Sequence, residues 1–181
     1  LLKQQLVLDG VCAPEDVVIL EFSREDDLAA AFTEIMSHQP AIVGWSCYVW
    51  SFRAVRQMSR AIKEYSPRTK VVWGGPHVSE KPRWFAQEYA SCCDYVVGWY
   101  GELSFSQLVK SLRDGDADPA HIPAYTASHN ASCAKAPEFD ELPLPYRQEW
   151  LPETMTRDIG GRVALLESYR NCPFSCEYCI S

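Results

Sequence analysis

Short apolar runs alternate along this chain with stretches of helical periodicity, and this alternation predicts the fold. Four runs have the length and the unbroken hydrophobic character of buried strands: Val17–Phe22, Ala41–Cys47, Lys70–Gly75 and Tyr95–Trp99. The stretches with apolar residues at helical spacing are Asp26–His38, Ser51–Tyr65, Lys81–Ser91 and Glu102–Gly115. Strands that alternate with helices in this way form a parallel sheet covered on both faces. We therefore predict an α/β fold with a parallel sheet, whose ligand lies at the carboxyl edge of the strands.

The pattern changes after residue 115. A short hairpin is expected about His129–Asn130, and Glu138–Pro152 is rich in proline, as linkers are. Arg162–Ser168 is one further buried strand, and clustered cysteines follow it. These changes predict a first domain over residues 1–135, a linker over residues 136–160, and the first strand and a cysteine loop of a second domain over residues 161–181.

Charge and composition narrow the class of protein. The chain has 181 residues and a formal net charge of −7, which is unfavourable for a nucleic-acid-binding surface. It has no apolar run of about 18 residues, the length that a membrane span needs, and we see no signal peptide. We expect a cytoplasmic protein that binds neither nucleic acid nor membranes. Because residue 1 is leucine and residues 1–10 have the pattern of an amphipathic helix end, we also expect a preceding N-terminal strand in a longer protein.

Three of the eight cysteines are clustered near the end of the sequence. Cys172, Cys176 and Cys179 have a C-x3-C-x2-C spacing directly after a predicted strand. A structural zinc ion normally takes four protein ligands, so zinc requires a fourth from Cys133 or from residues outside this sequence. A 4Fe–4S cluster held by three thiolates keeps one iron open for another ligand. The residues alone leave both metals open, and the other five cysteines are expected to be small buried side chains.

The segment RNCPFSCEYC, residues 170–179, resembles the cluster motif of radical S-adenosylmethionine enzymes. The resemblance implies that Cys172, Cys176 and Cys179 bind a 4Fe–4S cluster and that S-adenosylmethionine chelates the open iron. It also implies that Tyr178 lies along the adenine of S-adenosylmethionine. In that family a β/α barrel carries the motif, and a complete barrel takes about 250 residues. Residues 161–181 are therefore expected to hold only the start of the barrel.

Three loops follow predicted strands at the expected ligand edge: SCYVWSFR, GGPHVS and GWYGE. They contain neither the G-x-G-x-x-G of dinucleotide-binding folds nor the phosphate-binding G-x-x-x-x-G-K-[ST]. They resemble instead the Rossmann-like cobalamin-binding domain that precedes the barrel in one large class of radical S-adenosylmethionine enzymes. One departure is that Trp99 and Tyr100 replace the acid and the glycine of that class. The residues that the resemblance places at cobalamin are Ser46, Tyr48, Trp50, Ser51, Phe52, Arg53, Gly74, Gly75, Pro76, His77, Gly98, Gly101 and Glu102.

The lower face of the cobalt is expected to lack a protein ligand. This sequence has no D-x-H-x-x-G motif, which supplies a histidine to cobalt in other cobalamin proteins. The resembling class places the residues after the second visible strand beneath the corrin, and here these are Trp50–Arg53. A guanidinium cannot ligate a metal, so Arg53 in that position would disfavour bound water and favour reduced cobalt. The alternative is that Arg53 is a solvated residue in the first turn of a helix.

The two resemblances together imply a cobalamin-dependent radical S-adenosylmethionine methyltransferase. Such an enzyme passes a methyl group from S-adenosylmethionine, by way of methylcobalamin, to a carbon or phosphorus centre of a small molecule. It needs an external electron donor. The basic helix start at Arg53 makes the tryptophan methyltransferase branch the narrower expectation. Three alternatives stay open: a cyclase or rearrangement enzyme of the same class, a methylthiotransferase with a second cluster on Cys12, Cys47 and Cys92, and a zinc-stabilised binding module.

Overall fold

The computed structural model describes residues 1–23, 25–115, 122, 124–125 and 142–143. Its helices are α1 (Leu2–Leu8), α2 (Leu28–Ser37), α3 (Phe52–Tyr65), α4 (Pro76–Ser79), α5 (Pro82–Glu88) and α6 (Gly101–Asp114). Its strands are β1 (Ile42–Ser46), β2 (Lys70–Gly74) and β3 (Tyr95–Val96), and a 3₁₀ turn covers Pro14–Asp16. The strands are parallel and lie in the order β1-β2-β3. The predicted α/β fold with a Rossmann-like parallel sheet is confirmed.

Helices cover both faces of this sheet. On one face, Val43, Val71 and Trp73 belong to a buried cluster with residues of α2, α3 and α5. On the other face, Val72 packs in a cluster with Leu108 of α6. Helix α1 lies beside α6, with its own apolar residues packed against that helix. Because neighbouring residues of β2 are buried on opposite faces, the strand has an unbroken apolar sequence instead of an alternating one.

Helix α3 is fixed to the sheet by apolar contacts and by one buried hydrogen bond. Its buried residues Val55, Met58 and Ile62 share a cluster with the strands. The indole N–H of Trp73 donates to Ser59 Oγ at 3.0 Å, and both side chains are fully buried. A buried donor without a partner costs about 1–3 kcal/mol, so this bond favours one position of α3 on the sheet.

The amino edge of the sheet is closed by an ion-pair network. The Lys63 ammonium donates to both carboxylate oxygens of Asp94, at 3.0 and 3.1 Å. It also donates to the carbonyl oxygens of Pro67 and Thr69, at 3.1 Å each. The Asp94 carboxylate accepts in addition from the backbone N–H of Val71 at 2.8 Å. The network therefore ties the end of α3 to the beginnings of β2 and β3.

The predicted strand Val17–Phe22 is wrong. Val17 has extended dihedral angles, φ −117° and ψ 107°, but the segment forms no strand. Val17 and Leu20 pack against core clusters, whereas Val18 and Ile19 are 50% and 66% exposed. A strand needs a neighbouring strand, and in the described part of the chain none pairs with this run. The apolar run therefore packs against the core through two side chains only, instead of being buried within a sheet.

The other predicted elements of the first 115 residues are confirmed with small changes at their ends. Helix α2 begins at Leu28 because the Asp27 carboxylate accepts from the backbone N–H of Ala29 at 2.9 Å. The run Tyr95–Trp99 pairs with β2 only through its first two residues. The expected amphipathic helix at the N-terminus is α1. Of the helices described, none combines the length and the apolar character needed to cross a bilayer.

Several predictions concern residues outside those described. They are the hairpin at His129–Asn130, the linker over 136–160 apart from residues 142–143, the strand Arg162–Ser168 and the start of the barrel over 161–181.

Candidate functional site

The loop after β1 exposes large side chains at the carboxyl edge of the sheet. Tyr48, Val49 and Trp50 are 38%, 70% and 62% exposed. The rings of Tyr48 and Trp50 stack, with centroids 4.7 Å apart and an interplanar angle of 14°. Grouped apolar side chains on a surface mark a place where a ligand or a partner binds. The parallel strands bring the loops after β2 and β3 to this same edge.

A serine side chain holds the loop against the start of α3. Ser51 Oγ accepts from the backbone N–H of Tyr48 at 3.2 Å and lies 3.3 Å from the Tyr48 carbonyl oxygen, to which it donates. The backbone N–H groups of Ser51 and Phe52 donate to the same carbonyl at 3.0 and 2.9 Å. Arg53 is the second residue of α3 and is exposed. The loop thus places Trp50 and Arg53, three residues apart in the chain, at one edge of the sheet.

Gly75 brings the loops after β1 and β2 into backbone contact. Its φ of +93° favours glycine, and a Cβ there would lie 2.9 Å from both the N and the O of Cys47 and 3.3 Å from Ser46 Oγ. The Cys47 N–H donates to the Gly74 carbonyl at 2.7 Å, and the His77 N–H donates to the Cys47 carbonyl at 3.1 Å. A side chain at Gly75 would therefore force one of the two loops to move.

Five rings pack around the start of α3. The ring centroid of Phe52 lies 4.7 Å from that of His77 and 5.3 Å from that of Trp73. Phe85 and Tyr89 are 5.4 and 5.5 Å from Phe52 by the same measure. The imidazole of His77 also lies 5.3 Å from the ring of Phe85. This packing fixes the half-buried imidazole and the first turn of α3 relative to the sheet edge.

The loop after β3 ends on a residue in an uncommon backbone conformation. Tyr100 has φ +60° and ψ +55°, in the left-handed region that bulky residues seldom adopt. Gly101 then begins α6, and Glu102 is buried in the first turn, where the helix dipole favours a carboxylate. Gly98 is buried earlier in the loop. Residues in such conformations recur at functional sites.

The cysteines near the sheet are buried, and burial raises the pKa values of their thiols. Cys47 and Cys92 are fully buried, and Cys93 is 3% exposed. Burial raises the pKa of the Cys47 thiol to about 12, with a smaller opposing effect from a Gly74 backbone hydrogen bond. Burial is likewise the largest cause that raises the pKa values of Cys92 and Cys93. Without a metal ion beside them these thiols stay protonated at neutral pH, as expected of small buried side chains.

The alternative with a second cluster requires Cys12, Cys47 and Cys92 to meet. Cys12 packs against the cluster between α1 and α6, whereas Cys47 and Cys92 belong to the cluster on the opposite face of the sheet. Among the residues that the structure describes, no three His, Cys, Asp or Glu side chains are grouped to hold a metal ion. The arrangement of these cysteines therefore does not favour a methylthiotransferase.

The residues predicted at cobalamin all lie at the carboxyl edge or on the strand and helix ends beside it. They are Ser46, Tyr48, Trp50, Ser51, Phe52 and Arg53 from the first loop, Gly74, Gly75, Pro76 and His77 from the second, and Gly98, Gly101 and Glu102 from the third. Val49 was not predicted, although it is more exposed than its neighbours. Its position between Tyr48 and Trp50, which were both predicted at the site, was the feature of the sequence that could have indicated it. The predicted cluster ligands Cys172, Cys176 and Cys179, and Tyr178 beside them, lie outside the described residues.

The geometry of this edge fits a large, flat cofactor such as cobalamin. Exposed, stacked aromatic side chains offer an apolar surface to a macrocycle, and Gly75 lets backbone groups approach without an intervening side chain. His77 packs against Phe52 and Phe85, which is consistent with the lack of a histidine-ligand motif. The individual contacts with cobalamin stay predictions.

Comparison with known proteins gives three curated relatives. The chain is 29% identical to a cobalamin-dependent radical SAM methyltransferase, TokK, of Streptomyces tokunonensis, over 78% of this chain and 22% of the relative. It is 30% identical to a 2-(S-pantetheinyl)-carbapenam-3-carboxylate methyltransferase of Streptantibioticus cattleyicolor, over 96% of this chain and 26% of the relative. It is 28% identical to an uncharacterized methyltransferase of Pyrococcus horikoshii, over 92% of this chain and 37% of the relative. The chain thus spans only between a fifth and two fifths of the length of these relatives.

A family model provides the remaining comparison. The model described as the B12 binding domain matches residues 1–109, a range that includes every loop of the carboxyl edge described above. Because the match extends over more than half of the sequence, this chain belongs to the B12-binding domain family.

Proposed function

We propose that this chain is the cobalamin-binding part of a radical S-adenosylmethionine methyltransferase. The observation that carries the proposal is the carboxyl edge, where a B12-binding domain presents stacked aromatic side chains and a glycine contact between two loops. Two relatives that are named methyltransferases support the reaction type. The C-x3-C-x2-C segment supports the cluster. The methyl group passes from S-adenosylmethionine to a carbon or phosphorus centre of a small molecule.

In this proposal the residues of the carboxyl edge hold and shield the cofactor. Bound cobalamin supplies a cobalt that accepts and donates a methyl group. Tyr48, Val49 and Trp50 offer one apolar face to the corrin and exclude water from it. Gly74 and Gly75 let the backbone of two loops approach the cofactor together. The proposed role of this domain is therefore to bind cobalamin, to orient it and to exclude solvent from it.

The cluster and S-adenosylmethionine are assigned to the end of the chain. Cys172, Cys176 and Cys179 would bind a 4Fe–4S cluster, and Tyr178 would contact the adenine of S-adenosylmethionine. A cluster held by three thiolates would have one iron available to that molecule. We place the protein in the cytoplasm, a reducing compartment that keeps the thiols free.

Arg53 carries a narrower form of the proposal, the tryptophan methyltransferase branch with an indole carbon as acceptor. Arg53 is exposed and follows Trp50 and Phe52 in the loop and first turn of α3. A guanidinium keeps its proton and cannot ligate a metal, so Arg53 would contribute a fixed positive charge beside bound cobalamin and would favour its reduced form. Replacing Arg53 by Ala should shift the reduction potential of bound cobalamin, and Arg53→Lys should retain most of it. An unchanged potential in Arg53→Ala contradicts this role.

The first experiment is a metal analysis of the full-length protein purified without oxygen. We expect about four iron atoms and about one cobalt atom per chain. About eight iron atoms without cobalt would favour a two-cluster methylthiotransferase instead. Zinc without iron or cobalt would contradict every enzymatic proposal made here.

A second experiment tests the carboxyl edge through binding alone. Trp50→Ala should weaken the binding of hydroxocobalamin about tenfold, because it removes an exposed aromatic contact. Tyr65→Ala is the matched control, since Tyr65 is also exposed, at 70%, but lies at the opposite end of α3 from the carboxyl edge. An equal loss in both variants, measured by absorbance titration, would show that the edge has no special part in binding.

A further inference from the structure

Two residues other than glycine have a left-handed backbone in the part of the chain that the structure describes. Gln39 has φ +49° and Tyr100 has φ +60°. A residue with a side chain is unfavourable in this region, because its Cβ lies too close to the following carbonyl oxygen. Each of the two residues therefore needs a structural reason, or a ligand, that favours its conformation.

The conformation of Gln39 is explained by the end of α2. His38 is the C-cap of α2, so Gln39 is the residue immediately beyond the cap. The backbone N–H of Gln39 donates to the Met36 carbonyl at 3.0 Å and satisfies a carbonyl group of the last turn. A left-handed residue at this position is a common way to end a helix. Gln39 is exposed and precedes β1, so it lies at the amino edge of the sheet.

The conformation of Tyr100 has no such explanation. Tyr100 is the N-cap of α6, and its side chain makes no cap hydrogen bond. An N-cap residue normally has extended dihedral angles, as Asp27 has at the start of α2, with φ −68° and ψ 120°. The left-handed angles of Tyr100 are therefore not required for a helix to begin there.

The side chain of Tyr100 gains no polar or aromatic contact from the residues that the structure describes. Tyr100 is half-buried, yet within those ranges its hydroxyl has no hydrogen-bond partner and its ring contacts no other ring. By contrast, the ring of Phe52 packs against the rings of Trp73 and Phe85. A bulky residue thus stands where glycine would be free of strain, and these contacts do not offset that strain.

Tyr100 lies at the carboxyl edge, because the loop after β3 runs beside the end of β2. The Val97 N–H donates to the Trp73 carbonyl at 2.8 Å. A Cβ at Gly74 would lie 3.6 Å from the Val97 carbonyl oxygen. Tyr100 follows Val97 by three residues and precedes α6. It therefore stands at the same edge as the exposed side chains of the loop after β1.

We infer that Tyr100 contacts cobalamin, and that its ring supplies a second apolar surface for the cofactor, from the loop after β3. This inference rests on the proposed function, because cobalamin is the ligand proposed for this edge. A tyrosine ring gives a large contact area at a small cost in side-chain entropy, and its hydroxyl can stay in water. Binding of the cofactor then offsets the backbone strain at Tyr100.

A strained binding residue differs from a structural residue in the sign of its effects. Removing a structural residue lowers the stability, and any loss of binding follows from that damage. Replacing Tyr100 by glycine should instead raise the stability and weaken binding, because one change removes both the strain and the ring.

Three substitutions at Tyr100 in the full-length protein separate the backbone from the ring. Tyr100→Gly removes the strain and the ring, Tyr100→Ala removes only the ring, and Tyr100→Phe keeps both. In the cofactor-free protein, Tyr100→Gly should raise the urea midpoint of unfolding by about 0.5 M, whereas Tyr100→Ala should leave it within about 0.2 M of wild type. Hydroxocobalamin, titrated by absorbance, should bind about tenfold more weakly to Tyr100→Gly and Tyr100→Ala, and Tyr100→Phe should retain its affinity within about twofold.

Gln39→Gly is the matched control, because Gln39 is also left-handed but lies at the amino edge. It should raise the urea midpoint about as much as Tyr100→Gly does, and it should leave the affinity for hydroxocobalamin within about twofold of wild type. A midpoint below wild type in Tyr100→Gly would show that the ring stabilises the fold and would overturn the inference. Wild-type affinity in Tyr100→Gly would overturn it as well.

Failure of the inference and failure of the proposed function give different results. If the wild-type protein does not bind hydroxocobalamin, the proposed function fails and the assignment of Tyr100 fails with it. If the wild-type protein binds and the two variants without the ring bind equally well, only the inference fails. If methyl transfer falls in Tyr100→Gly at unchanged affinity for hydroxocobalamin, the ring contacts another ligand or another part of the enzyme, and the inference again fails.

Discussion

The two edges of the same sheet differ in their exposed groups. Charged groups are paired at the amino edge, whereas large apolar side chains are exposed at the carboxyl edge. At the amino edge, Lys63 and Asp94 make hydrogen bonds to each other and to three backbone groups. At the carboxyl edge, Tyr48, Val49 and Trp50 keep apolar surface exposed to solvent. The first arrangement stabilises the fold, whereas the second is useful only when something covers it. Apolar surface that a ligand could cover is therefore found at the carboxyl edge, whereas the charged groups of the amino edge are paired with each other.

The largest expected effect on stability comes from Gly75→Ala, which tests the close backbone contact between the loops after β1 and β2. We expect a loss of about 3 kcal/mol in the free energy of unfolding, because φ +93° and a contact of 2.9 Å with backbone both oppose a side chain. Gly115→Ala is the matched control. Gly115 also has a positive φ, +71°, but a Cβ there meets nothing within 4 Å, so we expect a loss of about 1 kcal/mol. Equal losses in urea unfolding would contradict the loop contact.

The second-largest effect is expected from alkaline pH, which should lower the free energy of unfolding through the thiol of Cys47. The thiol of Cys47 has a pKa of about 12 when folded against an ordinary value of 9.0, so the unfolded chain loses this proton first as the pH rises. The contribution of the Cys47 thiol to the free energy of unfolding is complete below pH 9 and is lost between pH 9 and 12. By pH 10.5 the loss is about 2 kcal/mol. Urea unfolding at pH 8 and pH 10.5, in the presence of a reductant, should show a smaller decline for Cys47→Ala than for the unaltered protein. An identical decline rules out Cys47 as the cause.

Lys63→Met tests the amino edge. We expect a loss of about 1–2 kcal/mol, because Asp94 and two backbone carbonyls each lose a partly buried charged donor. Lys110→Met, at an exposed site on α6, should change the free energy of unfolding by less than about 0.5 kcal/mol. If thermal unfolding gives the same midpoint for both variants, the network does not close this edge.

Trp50→Ala should have the smallest effect on stability. Its side chain is 62% exposed, so we expect a change below about 0.5 kcal/mol in the free energy of unfolding. Trp73→Phe, which removes the buried donor to Ser59, should cost about 1–2 kcal/mol. A large loss of stability in Trp50→Ala, measured by circular dichroism during urea unfolding, would remove the contrast between the two edges.

The sequence was sufficient to predict those strands and helices whose own pattern of apolar residues shows that they are buried. Ala41–Cys47 and Lys70–Gly75 became β1 and β2 because each run is apolar, short and followed by an amphipathic helix. Val17–Phe22 is a similarly short and mostly apolar run that also precedes an amphipathic helix, but it was wrongly predicted as a strand. A strand depends on a neighbour that pairs with it, and composition does not reveal whether that neighbour is present.

The sequence was sufficient to predict which loops form the candidate site, but it did not predict the contacts between them. Parallel topology places the ends of β1, β2 and β3 together, so Trp50, Gly75 and Glu102 could be assigned to one edge. The 2.9 Å distance that makes Gly75 necessary depends on how closely two loops approach, which no local pattern encodes. The left-handed conformation of Tyr100 was also hidden, because the sequence there has an aromatic residue where glycine is usual.

The backbone bonds of Cys47 have a mechanical consequence. Its N–H donates to the Gly74 carbonyl and its own carbonyl accepts from the His77 N–H, so the loops after β1 and β2 are joined through both backbone groups of one residue. A displacement of either loop is transmitted to the other without passing through a side chain. The backbone that carries Tyr48 and the turn at Gly75 are therefore coupled through hydrogen bonds at a single residue, so a ligand that contacts one loop also acts on the backbone of the other.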